Sequence, residues 1–259
     1  MCGRYAAKKN PADLAQEFDA VDETDGKARE ADFNVAPTKN VVTVVQRHPR
    51  DDEGQVLEDE SAVRSLRIMR WGLVPFWAKD VSVGNRMINT RAETASAKPA
   101  FKKSLARRRC LVPADGWYEW RRTGKQKEPF FMTRPDGHSL SFAGIWDTWR
   151  DPKDKDGTGA PLVTFSIITT NAAGRLTEVH DRMPLVIHER NWANWLDPDR
   201  TEVDELLVPP LDLMDTIELR PVSDRVNNVR NNGAELIERV EQATDLDGAT
   251  EALFDLPKS

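Results

Sequence analysis

The chain has 259 residues, of which 39% are hydrophobic, and it carries two cysteines, four histidines and a formal net charge of −6. No apolar run approaches the ~20 residues of a bilayer-spanning helix, and the amino-terminal segment lacks the apolar core of a signal peptide, so we expect a cytoplasmic protein. Cys2 and Cys110 cannot build a disulfide framework, and they have no metal-ligand spacing with the histidines, so no metal site is expected.

In chain order, the first half predicts one helix and two strands. Residues 11–18 have Pro11 near their start and Leu14 and Phe18 four apart, which is typical of a short helix. The β-branched run 41–46 predicts a strand, and the charged segment 47–61 predicts a loop. Residues 65–75 predict a further strand that Pro75 ends.

The second half predicts hairpins and short helices. Residues 108–122 read as strand, turn and strand around Ala-Asp-Gly, and 129–146 as a hairpin turning at Pro-Asp-Gly. The remaining predictions are strands over 162–170 and 216–222 and helices over 189–196, 201–208 and 233–243. No repeat or Pro- or Ser-rich linker divides the chain. We therefore predict one α+β domain, a hairpin-rich, mixed or antiparallel barrel or sandwich with flanking short helices.

Charge is unevenly distributed along this domain. Eight Lys and Arg residues between positions 101 and 125 stand against Asp115 and Glu119, whereas acidic residues collect in 51–60 and 235–255. A basic zone on an acidic protein is typical of nucleic-acid contact, and a solvated face is the equally weighted alternative.

The start of the chain predicts unusual chemistry. The small residue after Met1 favours removal of that methionine, which leaves Cys2 with an α-amine of pKa ~8 beside a thiol of pKa ~8.5. Such an aminothiol condenses with aldehydes to an imine and then to a thiazolidine ring; it also attacks amides with its own amine as base. The alternative is an ordinary cysteine near a frayed terminus. Arg4 is placed to hold an anion beside it.

Candidate helpers for Cys2 are scattered along the chain. Strand alternation puts Glu119 and Trp117 on one face, where desolvation suits the carboxylate to acid–base work; a surface Glu paired with Arg121 or Arg122 is the alternative. His180, next to Asp181, is a candidate proton donor or an ordinary loop histidine.

Polar and aromatic residues further suggest DNA contacts. Asn89, Arg91 and Glu93 are predicted on one face of an extended segment, with Asn89 suited to a sugar hydroxyl and Arg91 to a phosphate. Phe76 and Trp77 are candidates for stacking on unpaired bases, whereas Trp71 is expected in the core.

Seven motifs in this order closely resemble the SRAP family, the SOS response-associated peptidases that sense abasic sites in single-stranded DNA. They are MCGRY, FNVAPT, RWGLVPFWA, NTRAET, CLVPADGWYEW, TTNA with VHDRMPLVI, and PVSDRVNNVRNNG. The resemblance runs from Cys2 to about Leu236, which gives a SRAP domain over 1–240 and an acidic carboxyl-terminal tail over 241–259. The segments 51–60 and 150–160 are local elaborations.

The resemblance implies a role for each matching residue. Cys2 traps the ring-opened aldehyde of an abasic deoxyribose as a thiazolidine, Asn89 positions Cys2 and the sugar, Glu119 assists ring opening and reversal, and His180 hydrogen-bonds the opened sugar. The implied DNA-binding residues are Arg4, Asn34, Pro37, Phe76, Trp77, Arg91, Thr169 (with Thr170 as a one-residue alternative) and Arg182. No cofactor is implied.

Three functions follow as hypotheses. The first is a sensor and shield that crosslinks abasic sites, acting as a nucleoid-associated monomer that meets single-stranded DNA and replication or repair proteins. The second is a cysteine peptidase or N-terminal-nucleophile hydrolase, with self-processing as its minimal activity. The third is a non-catalytic module that binds single-stranded DNA. A retained Met1 would acylate the amine and exclude the thiazolidine.

Overall fold

The computed structural model describes residues 2–28, 30–154, 156 and 158–241. Apart from Glu241, the predicted acidic tail lies outside the described residues. No helix within the described ranges is long and apolar enough to cross a membrane.

Strands make up most of the regular structure. The strands are β1 (Tyr5–Ala7), β2 (Val21–Asp22), β3 (Asp32–Val35), β4 (Asn40–Arg47), β5 (Val63–Trp71), β6 (Asn89–Arg91), β7 (Arg109–Ala114), β8 (Gly116–Thr123), β9 (Gln126–Thr133), β10 (Leu140–Trp149), β11 (Leu162–Asn171), β12 (Arg182–Pro184) and β13 (Glu218–Pro221). The α-helices are α1 (Pro11–Phe18), α2 (Ala92–Ala95), α3 (Pro99–Arg107), α4 (Trp192–Leu196) and α5 (Leu211–Met214).

Five strands close a barrel. β11, β10, β7, β4 and β5 are hydrogen-bonded neighbours in that order, and β5 returns to pair in parallel with β11 at Thr164↔Arg70 and Phe165↔Trp71. A second sheet has the order β13-β9-β8-β1-β3. It packs on the barrel through aromatic contacts, with Tyr5 5.3 Å from Trp71 between ring centroids. The predicted α+β class with a barrel-like core is confirmed.

Strand alternation sorts the apolar residues into two cores. Val45 belongs to the cluster that the two sheets share, whereas Val44, its neighbour on β4, packs with helical residues outside the barrel. In that outer core Phe18 of α1 stacks on Trp192, with ring centroids 4.4 Å apart. The Asn10 side chain caps α1 by accepting the Asp13 amide at 2.9 Å, and the helix over 11–18 is confirmed.

The strand, turn and strand predicted over 108–122 are confirmed as β7 and β8, whereas the hairpin predicted over 129–146 is wrong. β7 and β8 lie in different sheets, so the Ala-Asp-Gly turn is a corner between sheets, held where the Asp115 amide donates to the Ala6 carbonyl at 2.8 Å. β9 pairs with β8 and β13, while β10 pairs with β7 and β11, so the Pro-Asp-Gly segment also crosses between sheets. The hairpin that forms instead joins β8 to β9.

Several predicted boundaries also shift. The strand predicted over 65–75 ends at Trp71, because Gly72 has φ 116° and its amide turns to the Phe165 carbonyl. The helix predicted over 201–208 is a 3₁₀ turn at Asp204–Leu206. The last predicted helix is a 3₁₀ turn at Ala234–Ile237, since Val240 then donates its amide to Pro221.

Candidate active site

Cys2 is fully buried at the entrance to β1. β1 pairs antiparallel with β8 at Tyr5↔Trp117, and the Tyr118 amide donates to the Arg4 carbonyl at 2.9 Å. This register carries the start of the chain alongside Glu119. Burial raises the pKa of the Cys2 thiol well above its ordinary value, and the Glu119 carboxylate adds to the shift. The thiol is therefore held protonated, unlike the partly ionised thiol expected from the sequence.

Asn89 holds the backbone of Cys2. It lies on β6, which pairs in parallel with β11 at Asn89↔Ile167, and its Nδ2 donates to the Cys2 carbonyl at 2.7 Å. The Asn89 Oδ1 atom is buried and accepts no hydrogen bond from the described residues. The amide nitrogen of Asn89 thus makes a hydrogen bond while the amide oxygen has no donor, so this side chain is suited to positioning a further group.

Glu119 faces the same space from β8. Its side chain is 5% exposed, and burial is the main influence that raises its pKa above the ordinary 4.5, with the facing His180 acting in the opposite direction. Trp117 and Glu119 lie on the face toward the shared core and Tyr118 on the other face, as strand alternation predicted. A carboxyl group with a raised pKa is suited to exchange protons near neutral pH.

The two ring nitrogens of His180 lie near three groups of the site. Its Nε2 lies 4.0 Å from Glu119 Oε2, while Nδ1 lies 2.9 Å from the Arg182 amide and 2.8 Å from an Asp181 carboxylate oxygen. These contacts hold the ring beside the Glu119 carboxylate.

Glu119 and His180 line an open cavity of ≈ 470 Å³, and Cys2 and Asn89 are not part of its lining. Its lining consists of Glu119, Trp120, Arg122, Lys127, His180 and Asn227. The fold thus brings Cys2, Asn89, Glu119 and His180 together from four segments that are far apart in sequence.

Arg4 and Asn34 form a buried support beside the cavity. Arg4 donates to Asn34 Oδ1 at 2.7 Å and to the Val226 carbonyl at 2.8 Å, and its guanidinium lies 6.0 Å from the Trp120 ring centroid. Asn34 is fully buried and donates to the carbonyls of Val226, Asn228 and Asn231. The structure therefore places Asn34 beneath the surface.

Arg182 is also engaged by the protein. Its guanidinium makes two hydrogen bonds to the Glu93 carboxylate, at 2.6 and 3.1 Å, and donates to the Thr169 carbonyl at 2.7 Å. Arg182 is 9% exposed and Thr169 is fully buried. The expectation that Glu93 shares an extended face with Asn89 and Arg91 is wrong, because Glu93 lies in the first turn of α2.

The remaining predicted DNA contacts lie at the surface. Arg91 is exposed at the end of β6, and Pro37 is half-buried. Phe76 is 62% exposed and Trp77 58%, and Lys103 lies 5.7 Å from the Phe76 ring centroid. Packing in the core does not explain why two large aromatic side chains are this exposed.

The family model for "SOS response associated peptidase (SRAP)" matches residues 1–229. The chain belongs to the SRAP family. It is 36% identical to "Abasic site processing protein YoqW" of Bacillus subtilis, covering 92% of this chain and 99% of that one. It is 29% identical to "Abasic site processing protein HMCES" of Gallus gallus, covering 93% and 78%. A crystal structure from Bacteroides thetaiotaomicron superposes with a TM-score of 0.76 at 23% identity over 93% of this chain and all of that one, which shows a shared fold.

Local sequence patterns do not indicate every residue that lines the cavity of this SRAP site. Trp120 donates its indole N–H to Asn227 at 2.7 Å, and both line the cavity with Arg122 and Lys127. Trp120 follows Glu119 on β8, so strand alternation alone points it to the opposite face. Asn227 ends a 3₁₀ turn that lies 107 residues from Trp120 in sequence.

The basic zone over 101–125 is not one surface. Arg109 is buried and donates to five backbone carbonyls, among them those of Leu105 and Trp195. Lys103 lies beside Phe76, and Arg122 lies beside Glu119. Among the described residues, no group of three or more His, Cys, Asp or Glu side chains could hold a metal ion.

Proposed function

We propose that this protein processes abasic sites in single-stranded DNA, by forming a covalent thiazolidine between Cys2 and the ring-opened deoxyribose once Met1 has been removed. The observation that carries the proposal is the set of contacts that joins the four residues: Asn89 donates to the Cys2 carbonyl, the Glu119 carboxylate acts on the Cys2 thiol, and Glu119 lies 4.0 Å from His180. The names of the relatives YoqW and HMCES, both abasic site processing proteins, support the same substrate.

The proposed reaction balances without a cofactor. The Cys2 amine adds to the aldehyde carbon, and loss of water gives an imine. The thiol sulfur then adds to the imine carbon while its proton passes to the nitrogen, which closes the five-membered ring. A buried, protonated thiol is compatible with this order, because the proton it carries is consumed at the nitrogen.

The neighbouring residues divide the proton transfers. Glu119, with its raised pKa, is placed to donate a proton as the sugar ring opens and water leaves, and to act again on reversal. His180 is placed to hydrogen-bond the opened sugar beside the Glu119 carboxylate, which lies 4.0 Å away. Asn89 fixes the Cys2 backbone and offers Oδ1 to a sugar hydroxyl or to the Cys2 amine.

Single-stranded DNA suits the exposed residues. Arg91, Arg122 and Lys127 are proposed phosphate contacts, and Phe76 and Trp77, with Pro37, are proposed to stack on and bend the strand. A duplex would require unstacking at a cost of a few kcal/mol. Arg4, Asn34, Thr169 and Arg182 are proposed to act on DNA by shaping the site, with their present hydrogen bonds retained or exchanged. We propose a monomer acting at the nucleoid beside replication or repair proteins.

A peptidase is the second candidate, favoured by the family's description. The same Cys2 and Glu119 would then cleave an amide, and removal of Met1 would be the minimal activity. A DNA-binding module without catalytic activity is the third candidate. Its affinity for DNA would fall as salt is added and would be the same with and without an abasic site.

Intact-mass spectrometry tests these alternatives in one experiment. The purified protein is weighed before and after incubation with a single-stranded oligonucleotide containing one abasic site. We expect loss of Met1 and an adduct equal to oligonucleotide plus protein minus one water. Cys2→Ala should give no adduct. An adduct of equal yield with Cys2→Ala, or none with either protein, would contradict the proposal.

A further inference from the structure

A second cavity, of ≈ 430 Å³, opens at the end of the barrel remote from Cys2. β11 links the two sites: Val163 lines this cavity, while Thr169 pairs with Arg91 beside Asn89. At about 3.3 Å per residue, Thr169 lies roughly 20 Å along the strand from Val163. The mouth of a β-barrel is a common location for small-ligand sites.

One wall of this cavity carries excess positive charge. The guanidinium groups of Arg47 and Arg108 lie 5.2 and 5.5 Å from the Trp146 ring centroid, and Arg67 stands on the neighbouring strand. Arg67 pairs with Glu23 and Arg108 with Asp147. Arg47 makes no ion pair with a described carboxylate, although Glu23, which also lines the cavity, acts on it at longer range. Burial lowers the pKa of Arg47, and the nearby Arg50, Arg67 and Arg108 lower it further.

The cavity also carries a hydroxyl that has no partner among the described residues. Thr24 lines the cavity and is 2% exposed, and its Oγ1 makes no hydrogen bond with any described residue. Asp25 stands at the rim next to it. A buried hydroxyl without a partner is uncommon in folded proteins and indicates a group that is missing from the site.

The floor of the cavity is apolar. It is formed by Val45, Met69, Val163 and the edge of Trp146, which is 7% exposed. The cavity therefore presents the cations of Arg47 and Arg67, an apolar surface, and the Thr24 hydroxyl between the carboxylates of Glu23 and Asp25.

We propose that this cavity binds a phosphorylated nucleoside, with the phosphate on Arg47 and Arg67 and the base on the apolar floor. Guanidinium forks match phosphate oxygens, and Thr24 and Asp25 match the hydroxyl and amino groups of a sugar or base. The volume lies within the range of small-ligand sites. The nucleoside is either a free mononucleotide or the phosphorylated end of a DNA strand, since both offer the same chemistry.

The test is calorimetric titration of the protein in a Cys2→Ala background, which excludes covalent trapping at the candidate active site. The probes are the four deoxynucleoside 5′-monophosphates, inorganic phosphate, and a tetranucleotide with and without a 5′-phosphate. Arg47→Met removes the charge and keeps the side-chain length, and Thr24→Val removes only the hydroxyl. Unfolding temperatures establish that each variant folds.

We expect saturable binding of the monophosphates that Arg47→Met weakens about tenfold or more, since a charged hydrogen bond contributes about 1.5–3 kcal/mol. Thr24→Val should weaken it several-fold. Stronger binding of the phosphorylated tetranucleotide than of its unphosphorylated form would identify a strand end; stronger binding of the monophosphates would identify a free nucleotide. Binding of inorganic phosphate alone, no binding, or binding indifferent to Arg47→Met would overturn the proposal.

Discussion

The Asn89 side chain donates to the Cys2 carbonyl across 2.7 Å, while its own carbonyl oxygen is buried and unmet among the described residues. One end of the amide fixes the backbone of the proposed nucleophile, and the other end has no donor among the described residues. A buried acceptor without a partner costs about 1–3 kcal/mol, which a sugar hydroxyl or the mature Cys2 amine would recover.

Asn89→Asp tests this arrangement. A carboxylate oxygen would face the Cys2 carbonyl in place of a donor, so the nucleophile would be displaced. We expect the single-turnover crosslinking rate to fall at least ~10-fold, which corresponds to about 1.4 kcal/mol. Asn85→Asp is the matched control, because Asn85 is exposed on a neighbouring turn. An equal loss in both variants would show that added charge alone is responsible.

Glu119→Gln should change how stability depends on pH. Because the folded state holds the Glu119 proton more tightly than the unfolded state, wild-type stability falls as pH rises from the ordinary pKa of 4.5 through the raised one. The variant lacks this loss, so the difference between its free energy of unfolding and that of wild type should move in the variant's favour as the pH rises from about 4.5 through the raised pKa. Urea denaturation at several pH values measures the trend.

Glu128→Gln is the control for that series, since the Glu128 side chain is 41% exposed on the adjacent strand. A trend of the same size in Glu128→Gln would mean that general charge effects cause it. Crosslink formation and reversal should both slow in Glu119→Gln, whereas Glu128→Gln should crosslink as wild type does.

Local patterns in the sequence were sufficient to predict individual helices and strands. The spacing of Leu14 and Phe18 predicted α1, the β-branched runs predicted β4 and β11, and alternation put Trp117 and Glu119 on one face. These features depend on neighbours a few residues apart, which a sequence displays directly.

Partners far apart in the chain were not predictable in the same way. Pro-Asp-Gly is a turn in either topology, so nothing local shows that β9 and β10 enter different sheets. An arginine on a surface and an arginine buried among carbonyls also look alike, as Arg109 and Arg182 demonstrate. The convergence of the four candidate catalytic residues was expected only through the family resemblance.

The variant Arg182→Lys distinguishes two roles for Arg182, which are structural support of the site and direct contact with DNA. Lysine cannot reproduce the two bonds to Glu93 and the bond to the Thr169 carbonyl, so the hydrogen bonds of a buried guanidinium to a partly exposed carboxylate would be lost. We expect a loss of about 1–3 kcal/mol in the free energy of unfolding. Arg91→Lys, at an exposed position, should change stability by less than about 0.5 kcal/mol. If Arg182→Lys leaves stability intact and weakens only DNA binding, Arg182 is a phosphate ligand.

The double variant Phe76→Ala, Trp77→Ala tests the stacking surface. Both side chains are more than half exposed, so their removal should change the free energy of unfolding by less than about 0.5 kcal/mol. Stacking on aromatic side chains contributes about 1–3 kcal/mol per base, so the affinity for single-stranded DNA should fall at least ~10-fold by fluorescence anisotropy. Val208→Ala is the control, since Val208 is 65% exposed and has no aromatic ring. Unchanged affinity in the double variant would mean that the strand follows another path, and an equal loss with Val208→Ala would mean that the effect is not specific to stacking.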